Sequence, residues 1–162
     1  MRIVKMLLMC AVCAAALCGC AARELEDRIF AQAMELDWRG GTLTGGFGDF
    51  LVEGDSVDEI RANYQNELDK YLDLGHIKAI VLGKNLCMAP DELREVLLDL
   101  EQMPVISRNS LVFLHTYRDE ESYLKTLSDE GRVPGEYLSD RYRNTPHSEP
   151  AETLGEMLSG VF

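Results

Sequence analysis

The run Gly75 to Gly83, GHIKAIVLG, sets Ile77, Ala79 and Val81 against His76, Lys78, Ile80 and Leu82 and thickens to unbroken apolar residues toward its end. That is the pattern of a central strand covered on both faces. Apolar residues recur at helical spacing on either side of it. Val57, Ile60, Tyr64, Leu68, Tyr71 and Leu72 predict a helix from Ser56 to Leu74, opened by a Ser56/Glu59 capping box and closed by Gly75 as a left-handed cap. Leu93, Val96, Leu97 and Leu100 predict a second helix from Pro90 to Leu100, with Asp91 and Glu92 at the positive end of its dipole and Met103-Pro104 as its stop. The segment Gly83 to Ala89 between strand and helix reads as a connection.

Upstream, Ile29 to Trp38 reads as a first strand and Thr42 to Val52 as a second, joined through the hairpin signal Gly40-Gly41. Gly45, Gly46 and Gly48 place a bulge or bend in the second strand. Downstream, Ser110 to Tyr117 is a further strand, which makes it parallel to the Gly75 to Gly83 strand through a right-handed crossover. Helices are predicted over Glu120 to Leu127 with Asp119 as cap, over Pro134 to Asn144, and over Ala151 to Ser159, with NTPHSEP as a loop. The sum is an α+β fold: one domain with a mixed, roughly four-stranded sheet in ββαβαβ order, packed by helices and followed by carboxyl-terminal helices.

The amino end follows a different rule. Arg2 and Lys5 precede an apolar run from Met6 to Leu17 that closes on LCGC, the layout of an export signal. At about twelve residues the run falls well short of the roughly 20 that a bilayer-spanning helix needs. Leu17, Gly19 and Cys20 match a bacterial lipoprotein box, so the expected division is a signal over 1–19, a spacer over 20–27 and a folded domain over 28–162. Thioether lipidation of Cys20 would tether the mature chain by acyl groups, each buried methylene adding about 0.8 kcal/mol. Cys87 is then the single cysteine of the body, excluding an intramolecular disulfide, and its neighbours Leu86, Met88 and Ala89 favour a buried thiol.

Charge narrows the partners. The whole chain carries a net −12, and removing Arg2 and Lys5 with the signal takes it to −14. Such a surface repels nucleic acid and anionic lipid alike, so the acyl group must supply the membrane binding.

Candidate chemistry is sparse. Of the three histidines, His76 and His115 fall in strands and His147 in a loop, none with a second ligand at metal spacing. His76 and His115 meet only if their strands are neighbours. The TGGFGD stretch lacks the Lys-Ser/Thr pair and the following helix of a phosphate loop. Asp119-Glu120-Glu121 and Asp129-Glu130 lack the alternating ligands of a calcium loop. No catalytic, metal or cofactor residue is assigned, which leaves a binding or scaffold role as the expectation.

Read in order, CAARELED, GHIKAIVLG, LREVLLDLEQMPVISRNSLVFLHTY, PGEYLSDRYRN and TLGEML make the chain resemble the Ger(x)C family, the lipoprotein C subunits of spore nutrient-germinant receptors. The resemblance implies a non-enzymatic subunit on the outer face of a membrane, the spore inner membrane in that family, working with two integral membrane subunits in nutrient detection. Two features depart from the family pattern. Ala21-Ala22 stand where members usually carry Trp-Asp, and the sequence stops at Phe162 where typical members continue for one or two further domains. Cys20 is the one site residue, for lipid; Gly75 and Pro134 read first as a helix cap and a helix start. Two other readings predict different chemistry: a solute-binding lipoprotein with a cleft at the carboxyl ends of the parallel strands, and an envelope enzyme using His76 or His115.

Overall fold

The computed structural model describes residues 25–115, 122–145 and 151–161. In chain order the elements are a 3-10 turn at Leu25–Asp27, β1 (Arg28–Phe30), β2 (Ala33–Arg39), β3 (Thr42–Gly46), β4 (Val52–Gly54), α1 (Val57–Asn66), β5 (Tyr71–Asp73), β6 (Ala79–Gly83), α2 (Lys84–Cys87), α3 (Pro90–Gln102), β7 (Leu111–His115), α4 (Tyr123–Asp129), α5 (Pro134–Asn144), β8 (Glu152–Thr153) and α6 (Leu154–Val161). Six strands form one mixed sheet in the order β4-β3-β2-β6-β7-β8, and β1 pairs with β5 in a separate ribbon. The fold is α+β, a single domain with its sheet packed by helices.

Every residue of β6 is buried. It runs parallel to β2 on one side and to β7 on the other, in registers Met34↔Ile80 and Ile80↔Val112. Side chains alternate across the sheet, so two cores form. Met34, Leu36, Ile80, Leu82 and Val112 face α1, α3 and α6 through Ile60, Leu97, Leu100, Leu154 and Leu158. On the opposite face Ala33, Ala79, Val81 and Phe113 meet Leu124 and Leu127 of α4 and Leu138 of α5. The unbroken apolar stretch in the sequence has this cause: both of its faces lie under helices.

The expected four strands become six in the main sheet. Ile29 to Trp38 is interrupted at residues 31–32, which detaches β1, and Thr42 to Val52 divides into β3 and β4 around residues 47–51, the bend its glycines signalled. The two-residue hairpin is present: Arg39 pairs with Thr42 across Gly40 and Gly41, whose φ angles of 61° and 94° suit glycine. β8, two residues long, adds an antiparallel edge beside β7.

The predicted helix from Ser56 to Leu74 is shorter, and its tail is strand. Ser56 caps α1 by accepting from the Glu59 amide at 3.2 Å, while the Glu59 carboxylate accepts from Asp55 N, one residue earlier than in a standard capping box. After Asn66 the chain reverses around the Gln65 side chain, which donates to Lys70 O at 2.9 Å and accepts from Leu72 N at 2.7 Å. Tyr71 and Leu72 therefore enter β5 beside β1. Gly75 is not a left-handed cap; its amide donates to Asp73 Oδ1 at 3.0 Å, and the positive-φ glycines described are Gly40, Gly41, Gly48 and Gly131.

Three boundaries shift further along. The connection after Gly83 winds into α2. The helix expected over Glu120 to Leu127 is α4, which begins at Tyr123 because Ser122 is extended and caps it, accepting from Lys125 N at 3.0 Å; Asp119 and Glu120 lie outside the described residues. The last predicted helix, Ala151 to Ser159, gives its start to β8 and runs as Leu154–Val161. Pro134–Asn144 keeps its predicted limits.

Glu35 ties α4 to the sheet. Its carboxylate, 8% exposed on β2, accepts from Ser122 Oγ and from Tyr123 N at 2.9 Å. Burial pushes its pKa above the usual carboxylate range, against the lowering effect of those hydrogen bonds. The folded state therefore holds this proton more tightly than the unfolded chain, and the stability so gained is present in full below the unfolded value, about 4.3, and lost as pH rises through the folded one. Melting temperature measured from about pH 5 upward should fall by less in Glu35→Gln than in the parent; an unchanged slope would show that another group carries it.

Gly135 offers a second check. A Cβ there would lie 2.3 Å from Gln32 O, a backbone atom that cannot rotate away. Gly135→Ala should cost about 1–3 kcal/mol in denaturant unfolding. Gly160→Ala, on an open helical face, should be neutral or gain up to about 1 kcal/mol.

Candidate functional site

Cys20 lies outside the described residues, as do His147 and the Asp119-Glu120-Glu121 cluster. Cys87 ends α2, half-buried against the larger core. Burial, and then the charge of Asp37, push its thiol pKa up, which keeps it protonated and poorly nucleophilic.

The two described histidines stand at opposite ends of the sheet. His76 sits in the turn before β6, its ring edge-on to Phe30 at 5.0 Å. His115 is the last residue of β7, paired in register with Gly83 and stacked on Tyr123 at 4.2 Å. Their strands are neighbours, yet the full length of β6 separates the rings, about 17 Å at 3.3 Å per residue. They form no pair. Asp129 and Glu130 are engaged in exposed ion pairs with Lys125 at 2.5 Å and Arg132 at 3.0 Å. Among the described residues no group of three His, Cys, Asp or Glu side chains is placed to hold a metal ion.

At the carboxyl ends of β2, β6 and β7, where ligands bind in open α/β sheets, structural hydrogen bonds occupy the polar groups. Asp37 accepts from Leu86 N at 3.1 Å, Asn85 Nδ2 at 3.2 Å and Arg39 Nε at 3.2 Å. Its carboxylate thus fastens the start of α2 to β2. It fits there because Gly83 has no side chain; a Cβ would come within 2.2 Å of Asp37 Cγ. Asp37 and Glu35 were missed in the sequence, although two acids inside the apolar pattern AMELDW are the signal that could have found them.

The motifs that carry the resemblance gather at the other end, around the amino termini of the same strands. The Gln32 carbonyl, just before β2, accepts from Lys78 N at 2.8 Å and is the atom against which Gly135 packs. Lys78 Nζ reaches Glu136 Oε1 at 3.5 Å, so the GHIK and PGEY segments meet. Tyr137 lies under the Arg132 guanidinium at 4.2 Å and its hydroxyl accepts from Arg141 Nη1 at 3.2 Å. Ser110 Oγ donates to Ile77 O at 2.9 Å, and Ser110 O accepts from Leu154 N at 2.9 Å. Gly155 N donates to Arg108 O at 2.8 Å, which brings in the Thr153-Leu154-Gly155 motif. Pro134 starts α5, as its sequence context implied.

Between α1 and α3 runs a groove of about 460 Å³ lined by Ser56, Asp58, Arg61, Asp99, Gln102, Met103, Pro104 and Val105. A second hollow of about 270 Å³ adjoins it through Ser56, Asp99 and Gln102 and reaches Trp38, Glu92 and Glu95. Asp99 Oδ2 accepts from Val57 N at 3.1 Å, closing the amino end of α1 from across the groove. Arg61 is held by Asp58 at 3.1 Å. The groove is polar at its rim and apolar along Met103, Pro104 and Val105.

No helix among the described residues is long and apolar enough to cross a membrane. No curated protein and no solved structure matches the chain. A family model described as "Spore germination protein N-terminal domain" matches residues 21–162, taking in every motif placed above. The chain belongs to that family, as the amino-terminal domain of a Ger(x)C spore germination protein.

Proposed function

We propose that this protein is a lipid-anchored, non-catalytic subunit of the germinant-receptor type, held on the outer face of a membrane through Cys20 and working by contact with integral membrane subunits. In a spore that membrane is the inner one. The observation that carries the reading is the family match over residues 21–162, which begins beside the cysteine of the lipoprotein box. The structure supports it in one respect: the two acids of β2, Glu35 and Asp37, are taken up by hydrogen bonds that hold helices in place, and the described histidines lie apart.

Cys20→Ser is the direct test. The parent protein should sediment with membranes and resist extraction at high salt, because acyl anchoring does not depend on charge. The variant should move to the soluble fraction, and spores carrying it should germinate poorly in nutrients. Equal membrane retention of Cys20→Ser would overturn the anchor, and unimpaired germination would overturn the receptor role.

The groove between α1 and α3 favours a second reading, capture of a small ligand, since about 460 Å³ falls in the size range of small-molecule sites. Thermal-shift measurement against amino acids and sugars separates the two. A ligand at 100 times its Kd adds about 2.7 kcal/mol of stability, and Asp99→Ala should remove the shift if the groove is the site. A screen with no shift leaves the contact-subunit reading in place.

A further inference from the structure

The ribbon of β1 and β5 stands apart from the main sheet and is the first strand structure after the leader. Its register pairs Arg28 with Tyr71, Ile29 with Leu72 and Phe30 with Asp73. Ile29 and Leu72 turn inward to the larger core. Alternation therefore puts Arg28, Phe30, Tyr71 and Asp73 together on the outward face. Phe30 is 38% exposed and Tyr71 39%. His76 packs edge-on to Phe30, extending the aromatic surface, and Arg28 is bonded to Asp73 at 3.0 Å.

We infer that this face of the ribbon rests on the headgroup layer of the membrane and sets the orientation of the domain. The inference rests on the Cys20 anchor. Five residues run from Cys20 to Leu25 and three more, wound as a 3-10 turn, to Arg28. At most about 3.6 Å for each extended residue and about 2 Å for each 3-10 residue give a leash near 24 Å. A domain of this size is about 36 Å across. With the far side against the lipid, Arg28 would stand higher than the leash reaches, which excludes that orientation; among those the leash allows, the exposed ribbon face selects the one with β1 toward the membrane.

The chemistry of that side suits the place. Tyr and other amphipathic rings collect at membrane interfaces, where one edge is apolar and the other is wet. On a body of net charge −14, Arg28 and Asp73 cancel, so the ribbon face itself adds no net charge toward an anionic surface. Glu26 and Asp27, in the turn just before it, confine the contact to the headgroups and away from hydrocarbon. The orientation has a consequence for the sheet. The ribbon joins the amino ends of β2 and β6, so the carboxyl ends, with Asp37, Asn85 and the exposed Met88, lie farther from the bilayer.

The test uses the lipidated protein, purified from membranes and returned to phosphatidylethanolamine–phosphatidylglycerol vesicles that carry a headgroup-depth quencher. Tyr71→Trp and, on the other strand, Phe30→Trp are compared with Met88→Trp, and the native Trp38 emission is the common baseline. The expected result is a loss of emission at positions 71 and 30 that exceeds the loss at 88. Using two strands keeps the test valid if one variant folds poorly. Equal or greater quenching at 88, or none at 71 and 30 in protein that sediments with the vesicles, overturns the ribbon contact and leaves the anchor intact. Failure of the lipidated protein to sediment overturns the anchor, and the ribbon contact with it.

Discussion

A strand buried on both faces and paired on both edges leaves its neighbours little freedom, and β6 is such a strand. Its parallel partners cannot be reached by tight turns, so the chain must cross over through helices on the way from β6 to β7. α3 on that crossover, together with α1, α4 and α5 from elsewhere in the chain, covers the apolar faces. Met34, Leu36, Ile80 and Leu82 need α1 and α3; Ala33, Ala79 and Val81 need α4 and α5. The small size of Ala33 and Ala79 sets how closely the second pair approaches. Removing either helical layer would expose one whole side of the central three strands, at about 25 cal/mol for each Å² of apolar surface.

The same constraint explains where the polar groups of the sheet go. Three parallel strands present a row of backbone ends on either side, and each row must be satisfied. At the carboxyl side the Asp37 carboxylate does this for the start of α2, and at the amino side Gln32 O, Lys78 O and Ser110 O accept from the segments that follow. The Gly75 to Lys78, Pro134 to Tyr137 and Thr153 to Gly155 motifs converge on this second row. Their backbone contacts close the sheet, which ties their presence to the fold.

Elements governed by local pattern were legible in the sequence, and those governed by distant partners were not. Pro134–Asn144 shows its start in Pro134 and its apolar contacts in Tyr137, Leu138 and Tyr142, and it is found where expected. Leu68, Tyr71 and Leu72 continue the spacing of α1 just as well, but Gln65 ends the helix and β1, more than forty residues earlier, recruits Tyr71–Asp73 as a strand. Three residues are too few to show alternation. β8 fails to appear for the same reason, being two residues held by β7. Glu35 was visible as an anomaly, an acid in an apolar strand, although its partner Ser122 lies 87 positions away. Cys20 is legible only as a motif, because the modification proposed for it would involve no packing.

The anchor proposed at Cys20 would also change how strong a contact the domain must make. Among the described residues, the large apolar side chains exposed elsewhere, Met88, Val105, Leu114 and Val133, sit on four separate segments. In free solution a millimolar contact, worth about 4 kcal/mol, would be empty at ordinary protein concentrations. A short flexible linker confines its ends to effective concentrations that also reach the millimolar range. Held on the same membrane as a partner, as proposed, the domain would meet it at a raised local concentration, so a weak contact would not need a large apolar surface. An acid-rich domain can then remain soluble in its aqueous surroundings and still associate, because the leash supplies the proximity and the contact has only to select the partner.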